Sequence, residues 1–233
     1  MNPNEKEETS LDPVKVYQIK AVLKDISPMI WRRFLMTDDT TVAQLHTVLQ
    51  TAMDWSDECL HQFRIHGKDY CIPRIHGLEY YKDARKVHLR DFRLRPGERF
   101  SYTYNMRAPW EFDLRVEQVL EIEPKKHYPL CLGGKHAGPD EFLEGPEAYR
   151  KWCRERNSCE ALGPLFEAMA SLGECVQEFL EGGKRPTRED EKFMEAHERI
   201  QERIQTDPEC FDRRKLNAAL RKREEPPCTS ESN

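Results

Sequence analysis

Alternation between hydrophobic and polar residues predicts several β-strands in the first half of the chain. Residues 14–25 alternate, and after a break at Pro28 a second alternating run covers residues 29–36. Three further strands are predicted by the same pattern, over residues 60–65, 99–105 and 110–116. Because the last two runs are separated by only a few residues, 106–109, we expect them to form a hairpin.

The first helix is predicted directly after the second strand. Thr41 is a suitable N-cap, and Gln44 three positions later completes a capping box. Apolar residues then recur at helical spacing, at Val42, Leu45, Leu49, Ala52 and Met53. Glycine and proline are frequent later in the chain, which predicts a loop over residues 128–149.

Helical patterns dominate the last third of the chain. They predict one or two helices over residues 162–180 and a charged helix over residues 187–205. Asp212 can cap a final short helix, with Phe211 and Leu216 forming a hydrophobic staple. Strands followed by helices indicate an α+β fold, in which helices pack on a mixed or antiparallel sheet and a helical appendage ends the chain.

The same patterns suggest how the chain is organised. Residues 1–13 are polar and end in a proline, so we interpret them as a disordered tail. Residues 14–181 are interpreted as the α+β domain and residues 182–223 as its C-terminal helical extension. A second disordered tail is predicted over residues 224–233.

Composition narrows the classes of function. The chain has 233 residues, 34% of them charged, and a net charge of −5, which argues against non-specific coating of DNA. No run of eighteen apolar residues and no secretory signal is visible, so a cytoplasmic location without membrane insertion is expected. Eight cysteines occur without a CxxC pair, and we interpret them as reduced thiols rather than as a zinc site.

Two adjacent arginines, Arg32 and Arg33, interrupt the apolar second strand. Alternation along a strand sends their side chains to opposite faces of the sheet. A guanidinium fork suits an anionic ligand, so one of the two could recognise phosphate or carboxylate. The alternative, which we favour, is structural: one arginine pairs with Asp38, Asp39 or another acid and stacks on a tryptophan, while the other is solvated.

The remaining candidates carry weaker signals. His46 lies on the apolar stripe of the predicted helix, which favours a hydrogen-bonded core residue over a ligand. His61, His66 and His76 lack the spacing of a metal site, so no metal or cofactor is predicted. Residues 62–100 hold ten Lys or Arg against five Asp or Glu, with Tyr70, Tyr80, Tyr81 and Phe92 interleaved. Contact with nucleic acid is therefore possible there, but a solvated surface is favoured.

The order of several short segments resembles a known family. These segments are "IWRRF", "TVAQLHTVLQTAMDW", "LHQF", "YTYNMRAPWEF", "YPLCLGG" and "DPECFDRRKLNAALR". Together they resemble the plasmid pRiA4b ORF-3-like family from about Tyr17 to Arg221. The resemblance implies a single α+β domain of bacterial or mobile-element origin. In the central hairpin, residues 105–108 replace the Asp-Phe-Gly-Asp of the family, and Phe112 replaces its histidine.

The leading hypothesis is a non-enzymatic binding or interaction module, whose partner would be a protein or an anionic ligand. The family segments suggest that six residues form its recognition surface, namely Arg32, Arg33, Trp55, His61, Tyr104 and Trp110. Aromatic rings with a few fixed polar groups are typical of such sites. Two alternatives remain open, a DNA-associated role linked to mobile elements and a hydrolase or nuclease with an unrecognised site.

Overall fold

The computed structural model describes residues 13–72, 81–187, 190–205 and 207–224. Apart from Pro13 and Glu224, the two predicted tails lie outside these ranges, as do His76 and Tyr80. Within the described ranges, none of the helices combines the length and the apolar character needed to cross a membrane.

In the described part of the chain, eight strands form one mixed sheet. In chain order they are β1 (Lys15–Leu23), β2 (Trp31–Thr37), β3 (His61–Ile65), β4 (Lys68–Cys71), β5 (Lys82–Asp83), β6 (Arg99–Tyr104), β7 (Trp110–Glu121) and β8 (Leu130–Lys135). Across the sheet the order is β5-β4-β3-β6-β7-β1-β2-β8. All neighbouring strands run antiparallel except β4 and β5, which run parallel.

Among the residues that the structure describes, five α-helices accompany the sheet and confirm the predicted α+β class. They are α1 (Val42–Met53), α2 (Gly145–Arg156), α3 (Cys159–Leu180), α4 (Glu191–Gln205) and α5 (Arg213–Glu224). Two short 3-10 turns lie between β5 and β6, at Ala84–Lys86 and Leu89–Phe92. The hairpin predicted from alternation is confirmed, since β6 and β7 pair antiparallel.

The start of α1 follows directly from local side-chain chemistry. The backbone N–H of Gln44 donates to the Thr41 hydroxyl at 3.1 Å, and the Thr41 N–H donates to the Gln44 side-chain oxygen at 2.8 Å. This is the predicted capping box, which satisfies backbone N–H groups that a helix start leaves without partners. The apolar stripe of α1 is buried, and α1 therefore lies against the sheet.

The hydrophobic core lies on one face of the central strands. Tyr17, Ile19 and Leu23 of β1 are buried in it with the stripe of α1. The C-terminal helix α5 also contributes, because Leu216 and Leu220 belong to the same buried cluster. The capping role predicted for Asp212 is confirmed, since its carboxylate accepts the N–H groups of the first turn of α5.

The prediction of a loop over residues 128–149 is wrong at both ends. Its last five residues, 145–149, form the start of α2. Residues 130–135 form the edge strand β8, which pairs with β2. The two glycines of this strand looked like turn signals, but Gly134 is required by packing. A Cβ on Gly134 would lie 2.7 Å from Arg32 Cδ and 2.7 Å from the Phe211 ring, closer than van der Waals contact allows.

Candidate functional site

Arg32 is part of the core rather than of an exposed binding surface. Its side chain is 1% exposed. It donates hydrogen bonds to three backbone carbonyls, those of Ala52 at 3.3 Å, Trp31 at 2.9 Å and Lys135 at 3.0 Å. The guanidinium carbon lies 4.0 Å from the centre of the Phe211 ring. Burial lowers the pKa of Arg32 to about 10, so the buried group is still a cation at neutral pH.

Arg33 lies on the opposite face of β2, as alternation along the strand predicts. Its guanidinium donates to both carboxylate oxygens of Glu117, at 2.5 and 2.9 Å, and lies 5.2 Å from the centre of the Trp31 ring. An arginine paired with an acid and stacked on a tryptophan was predicted, but the acid is neither Asp38 nor Asp39. The expectation that the other arginine is solvated is wrong, because that side chain is buried among carbonyl groups.

The Arg33–Glu117 pair makes the free energy of unfolding depend on pH in a direction that can be predicted. The hydrogen bond from Arg33 lowers the pKa of Glu117 below its ordinary value of 4.5. A carboxyl whose pKa is lower in the folded state stabilises the fold above its unfolded pKa, and this contribution is lost as the pH falls through the folded pKa. We expect the difference in unfolding free energy between the wild type and Glu117→Gln to be constant near neutral pH and to shrink below pH 4.5.

Urea unfolding at a series of pH values measures this difference. The matched control is the same substitution in an Arg33→Met background, where the largest influence that lowers the Glu117 pKa is gone and only the smaller ones of Gln18 and Lys20 remain, so the pH dependence of the difference should shrink. An unchanged pH dependence in that background would show that Arg33 is not its cause.

Three of the predicted site residues, Trp55, Tyr104 and Trp110, form one aromatic cluster. The rings of Trp55 and Tyr104 stack with centres 4.9 Å apart, and Trp110 lies 6.0 Å from Trp55. The indole N–H of Trp55 donates to the carbonyl of Pro139 at 2.7 Å. The cluster therefore anchors the loop that follows β8 against the end of α1.

A buried carboxylate, Glu141, lies next to this cluster and was not identified from the sequence. It is 6% exposed and accepts hydrogen bonds from the Tyr104 hydroxyl at 2.8 Å and from the Ser56 N–H at 2.7 Å. Burial, together with the nearby carboxylate, raises the pKa of Tyr104, so the phenol remains a proton donor. The two groups that donate to Glu141, the Tyr104 hydroxyl and the Ser56 N–H, are therefore both neutral.

Glu141 opens onto a cavity of about 430 Å³. Its aromatic walls are Trp55, Phe142, Tyr149 and Trp152. Its charged lining consists entirely of carboxylates, those of Asp54, Asp140, Glu141 and Asp207. The uncharged, non-aromatic residues Met53, Leu143, Pro208 and those at 137–139 complete the lining. The cavity thus combines negative charge with aromatic faces, and the arginines of β2 do not belong to its lining.

His61 belongs to a second buried polar cluster, which is separate from the Trp55 cluster. Its ring stacks on His46 with centres 3.6 Å apart. The two ring nitrogens of His46 lie 2.8 Å from the Tyr102 hydroxyl and 2.8 Å from an Asp57 oxygen. Gln50 donates to the same hydroxyl at 2.7 Å. The interpretation of His46 as a hydrogen-bonded core residue is confirmed.

The donor atoms of His46, Asp57 and His61 lie within 4.8 Å of one another, so their chemistry would suit a metal ion. The geometry suits one less well. The two imidazole planes are only 12° from parallel, and the lone pairs of ring nitrogens lie in those planes. Lone pairs that lie in two nearly parallel planes 3.6 Å apart do not converge on one point. Binding of a shared ion would therefore require one of the two rings to turn out of the stack.

The basic segment 62–100 is partly neutralised within the fold. In the portion that the structure describes, three of its arginines pair with acids, in the pairs Arg85–Asp83, Arg90–Asp39 and Arg99–Asp113. These pairs leave less positive charge available for phosphate groups than the sequence count suggests. Contact with nucleic acid stays an unfavoured prediction.

The fold and the site together define an α+β protein with one mixed sheet and an acid-lined aromatic cavity between the end of α1 and the loop that follows β8. Residues 15–160 match the family described as plasmid pRiA4b ORF-3-like protein, and the chain belongs to this family. The curated relative "Uncharacterized protein y4hQ" of Sinorhizobium fredii is 27% identical over 139 residues, which are 59% of this chain and 71% of that protein.

A solved structure is also similar. It is the crystal structure of MM3350, a protein of unknown function from Methanosarcina mazei Go1, with a TM-score of 0.59 and 24% sequence identity. The similarity covers 87% of this chain and 98% of the other. At this level of identity the comparison supports the fold alone.

Proposed function

We propose that this protein is a non-enzymatic binding module that captures a cationic amine, namely a lysine side chain of a partner protein, in the cavity beside Glu141. The observation that carries this proposal is the composition of the lining, in which every charged side chain is a carboxylate. The cavity volume is within the range typical of ligand sites, and it exceeds what a butylammonium group occupies.

The chemistry of the lining favours a cation in two ways. Glu141 is a buried carboxylate whose hydrogen-bond donors are neutral, so an ammonium group would supply the opposite charge that a buried ion requires. The face of an indole attracts a cation by about 0.5–2 kcal/mol, depending on how well the cation is desolvated. Trp55 and Trp152 line the same cavity, and Trp152 already attracts a cation from outside the lining, since the Arg156 guanidinium carbon lies 5.3 Å from the centre of its ring. An anion would meet repulsion from four carboxylates at the same place.

Short peptides with a single lysine, and the same peptides with the amine acetylated, test the proposal by calorimetric titration. The charged peptide should bind at least about tenfold more tightly, and its affinity should fall as salt is raised. In Asp140→Asn and in Trp152→Ala we expect the affinity to fall by about fivefold. Equal affinity for the two peptides would overturn the proposal.

The matched control is Glu144→Gln. Glu144 is an exposed acid close in sequence to Asp140, but it does not line the cavity. Its substitution removes the same charge and should change the affinity by less than about twofold. If Glu144→Gln and Asp140→Asn weakened binding equally, the effect would come from net charge and not from this cavity.

A further inference from the structure

Another cavity, of about 550 Å³, lies between α1 and α5, and we call it the α1–α5 cavity. Its volume is within the range of about 300–1,000 Å³ that is typical of small-molecule sites. It shares no lining residue with the cavity beside Glu141, so the two are separate. Residues with a hydroxyl group form much of its lining, namely Thr37, Thr40, Thr47, Thr51 and Tyr128.

One stripe of α1 lines this cavity. Its members occupy positions i, i+3, i+4 and i+7 and therefore share one side of the helix; they are Gln44, Thr47, Val48 and Thr51. At about 100° per residue, this stripe lies roughly 140° around α1 from the apolar stripe that packs on the sheet. Threonine inside a helix is less favourable than alanine, so helix formation alone does not explain these residues.

The polar groups of the lining can both donate and accept hydrogen bonds. The hydroxyls of Thr47 and Thr51 donate to the carbonyls of Ala43 at 3.2 Å and of Thr47 at 2.8 Å, so their oxygens are left to accept. The Tyr128 oxygen accepts the Glu123 N–H at 3.2 Å, so its own hydrogen is left to donate. Because a sugar hydroxyl both donates and accepts, a row of such groups fits this lining.

The charge of the lining favours an anion. Its charged residues are Asp39 and Arg223. Asp39 is already paired with Arg90, which lies outside the lining. Arg223 is exposed, and no acid among the described residues forms an ion pair with it. The charge that remains uncompensated is therefore that of Arg223, whose guanidinium fork suits a phosphate group.

The end of α5 strengthens this preference. A helix C-terminus carries a partial negative charge of about half an elementary charge, which by itself would disfavour an anion. Arg221, Lys222 and Arg223 all lie in the last turn of α5 and outweigh it. The end of α5 stays positive even after the carboxylate of Glu224 is counted.

We infer that the α1–α5 cavity binds a sugar phosphate. The phosphate would lie against Arg223, and the sugar hydroxyls would form hydrogen bonds with the threonines of α1 and with Tyr128. Apolar surface for the carbon atoms of the sugar is supplied by Val48, Pro129 and Leu220. This inference does not rest on the amine-binding cavity, which other residues line.

Calorimetric titration of the full chain with the terminal phosphate esters of glucose, fructose and ribose tests the inference. Each parent sugar and inorganic phosphate are titrated for comparison. At least one sugar phosphate should bind at least about tenfold more tightly than its parent sugar and than inorganic phosphate. Its affinity should fall as the salt concentration is raised, because Arg223 is exposed to solvent.

Two variants assign the binding to this cavity. Arg223→Gln removes the positive charge and should weaken binding of the sugar phosphate by about tenfold, with little change for the parent sugar. Thr47→Val combined with Thr51→Val keeps the shape of both side chains but removes their hydroxyls, and should weaken binding by about fivefold. The melting temperature of each variant verifies that it is folded.

The matched controls are Arg221→Gln and Thr103→Val. Arg221 is an exposed cation of the same helix, Thr103 is a half-buried hydroxyl residue of β6, and neither lines the cavity. Each control should change the affinity by less than about twofold. Equal weakening by Arg221→Gln and Arg223→Gln would assign the effect to the net charge of α5 and overturn the inference. So would failure of all three sugar phosphates to bind, or equal affinity for inorganic phosphate.

Discussion

Replacement of Arg32 by alanine is expected to lower the free energy of unfolding by about 3–5 kcal/mol, which places Arg32 among the most costly side chains to remove from this fold. The change would leave the carbonyls of Ala52, Trp31 and Lys135 without their donor in a place that water does not reach. It would also open a cavity against the Phe211 ring, on which the guanidinium lies. Urea unfolding followed by tryptophan fluorescence measures the loss.

Arg33→Ala is the matched control, since it removes the same side chain from the next position of the same strand. We expect it to lower the free energy of unfolding by about 1 kcal/mol or less. The Arg33–Glu117 pair is partly exposed, so water can replace most of the hydrogen bonds that Glu117 loses. Losses of equal size in the two variants would contradict the assignment of Arg32 to the core. Arg32→Lys should recover little, because an ammonium cannot reproduce the planar fork.

Gly138→Ala is expected to lower the free energy of unfolding by about 2–4 kcal/mol and to abolish amine binding in the cavity. A Cβ at this position would lie 2.8 Å from both the Cα and the carbonyl carbon of Met53. These are backbone atoms at the end of α1, which cannot rotate away as a side chain could. The loop of residues 137–143 must therefore move, and this loop carries Glu141.

Gly133→Ala is the control for this prediction. A Cβ there would lie 3.7 Å from the Trp31 ring, at ordinary contact distance. We expect its stability to be unchanged or raised by up to about 1 kcal/mol, because the unfolded chain loses freedom when glycine is replaced. A Gly138→Ala protein with wild-type stability and wild-type binding of the lysine peptide would show that the close approach to Met53 does not shape the cavity.

Local signals in the sequence were sufficient to predict much of the secondary structure. The capping box at Thr41 and Gln44 involves groups only three residues apart, so the start of α1 could be located without the rest of the chain. Alternation likewise located β1 and β2 and placed Arg32 and Arg33 on opposite faces, because strand geometry alone decides this. The strand β8 was missed because its Gly134 serves a packing contact with Arg32 and Phe211, which no local pattern reveals.

The candidate site was predictable only in part. Trp55, Tyr104 and Trp110 were named from the family segments, and they do lie together. Glu141 was missed because its signal, an acid in a glycine- and proline-rich stretch, is shared by many solvated loop residues.

By itself, therefore, the sequence determined elements whose causes lie within a few residues: most strands, the helices α1, α3, α4 and α5, the caps at Thr41 and Asp212, and the direction of each side chain from its strand. The helix α2 was missed because its first residues lie in the glycine- and proline-rich stretch 128–149. Only the tertiary structure decided which side chains become hydrogen-bond and ion-pair partners. Glu117 lies 84 positions from Arg33, and Glu141 lies 37 from Tyr104. The first pair depends on the order of the strands, which places β2 and β7 on either side of β1, and the second on where the loop after β8 packs. Both are properties of the whole core. The charge of the cavity follows from the same long-range order.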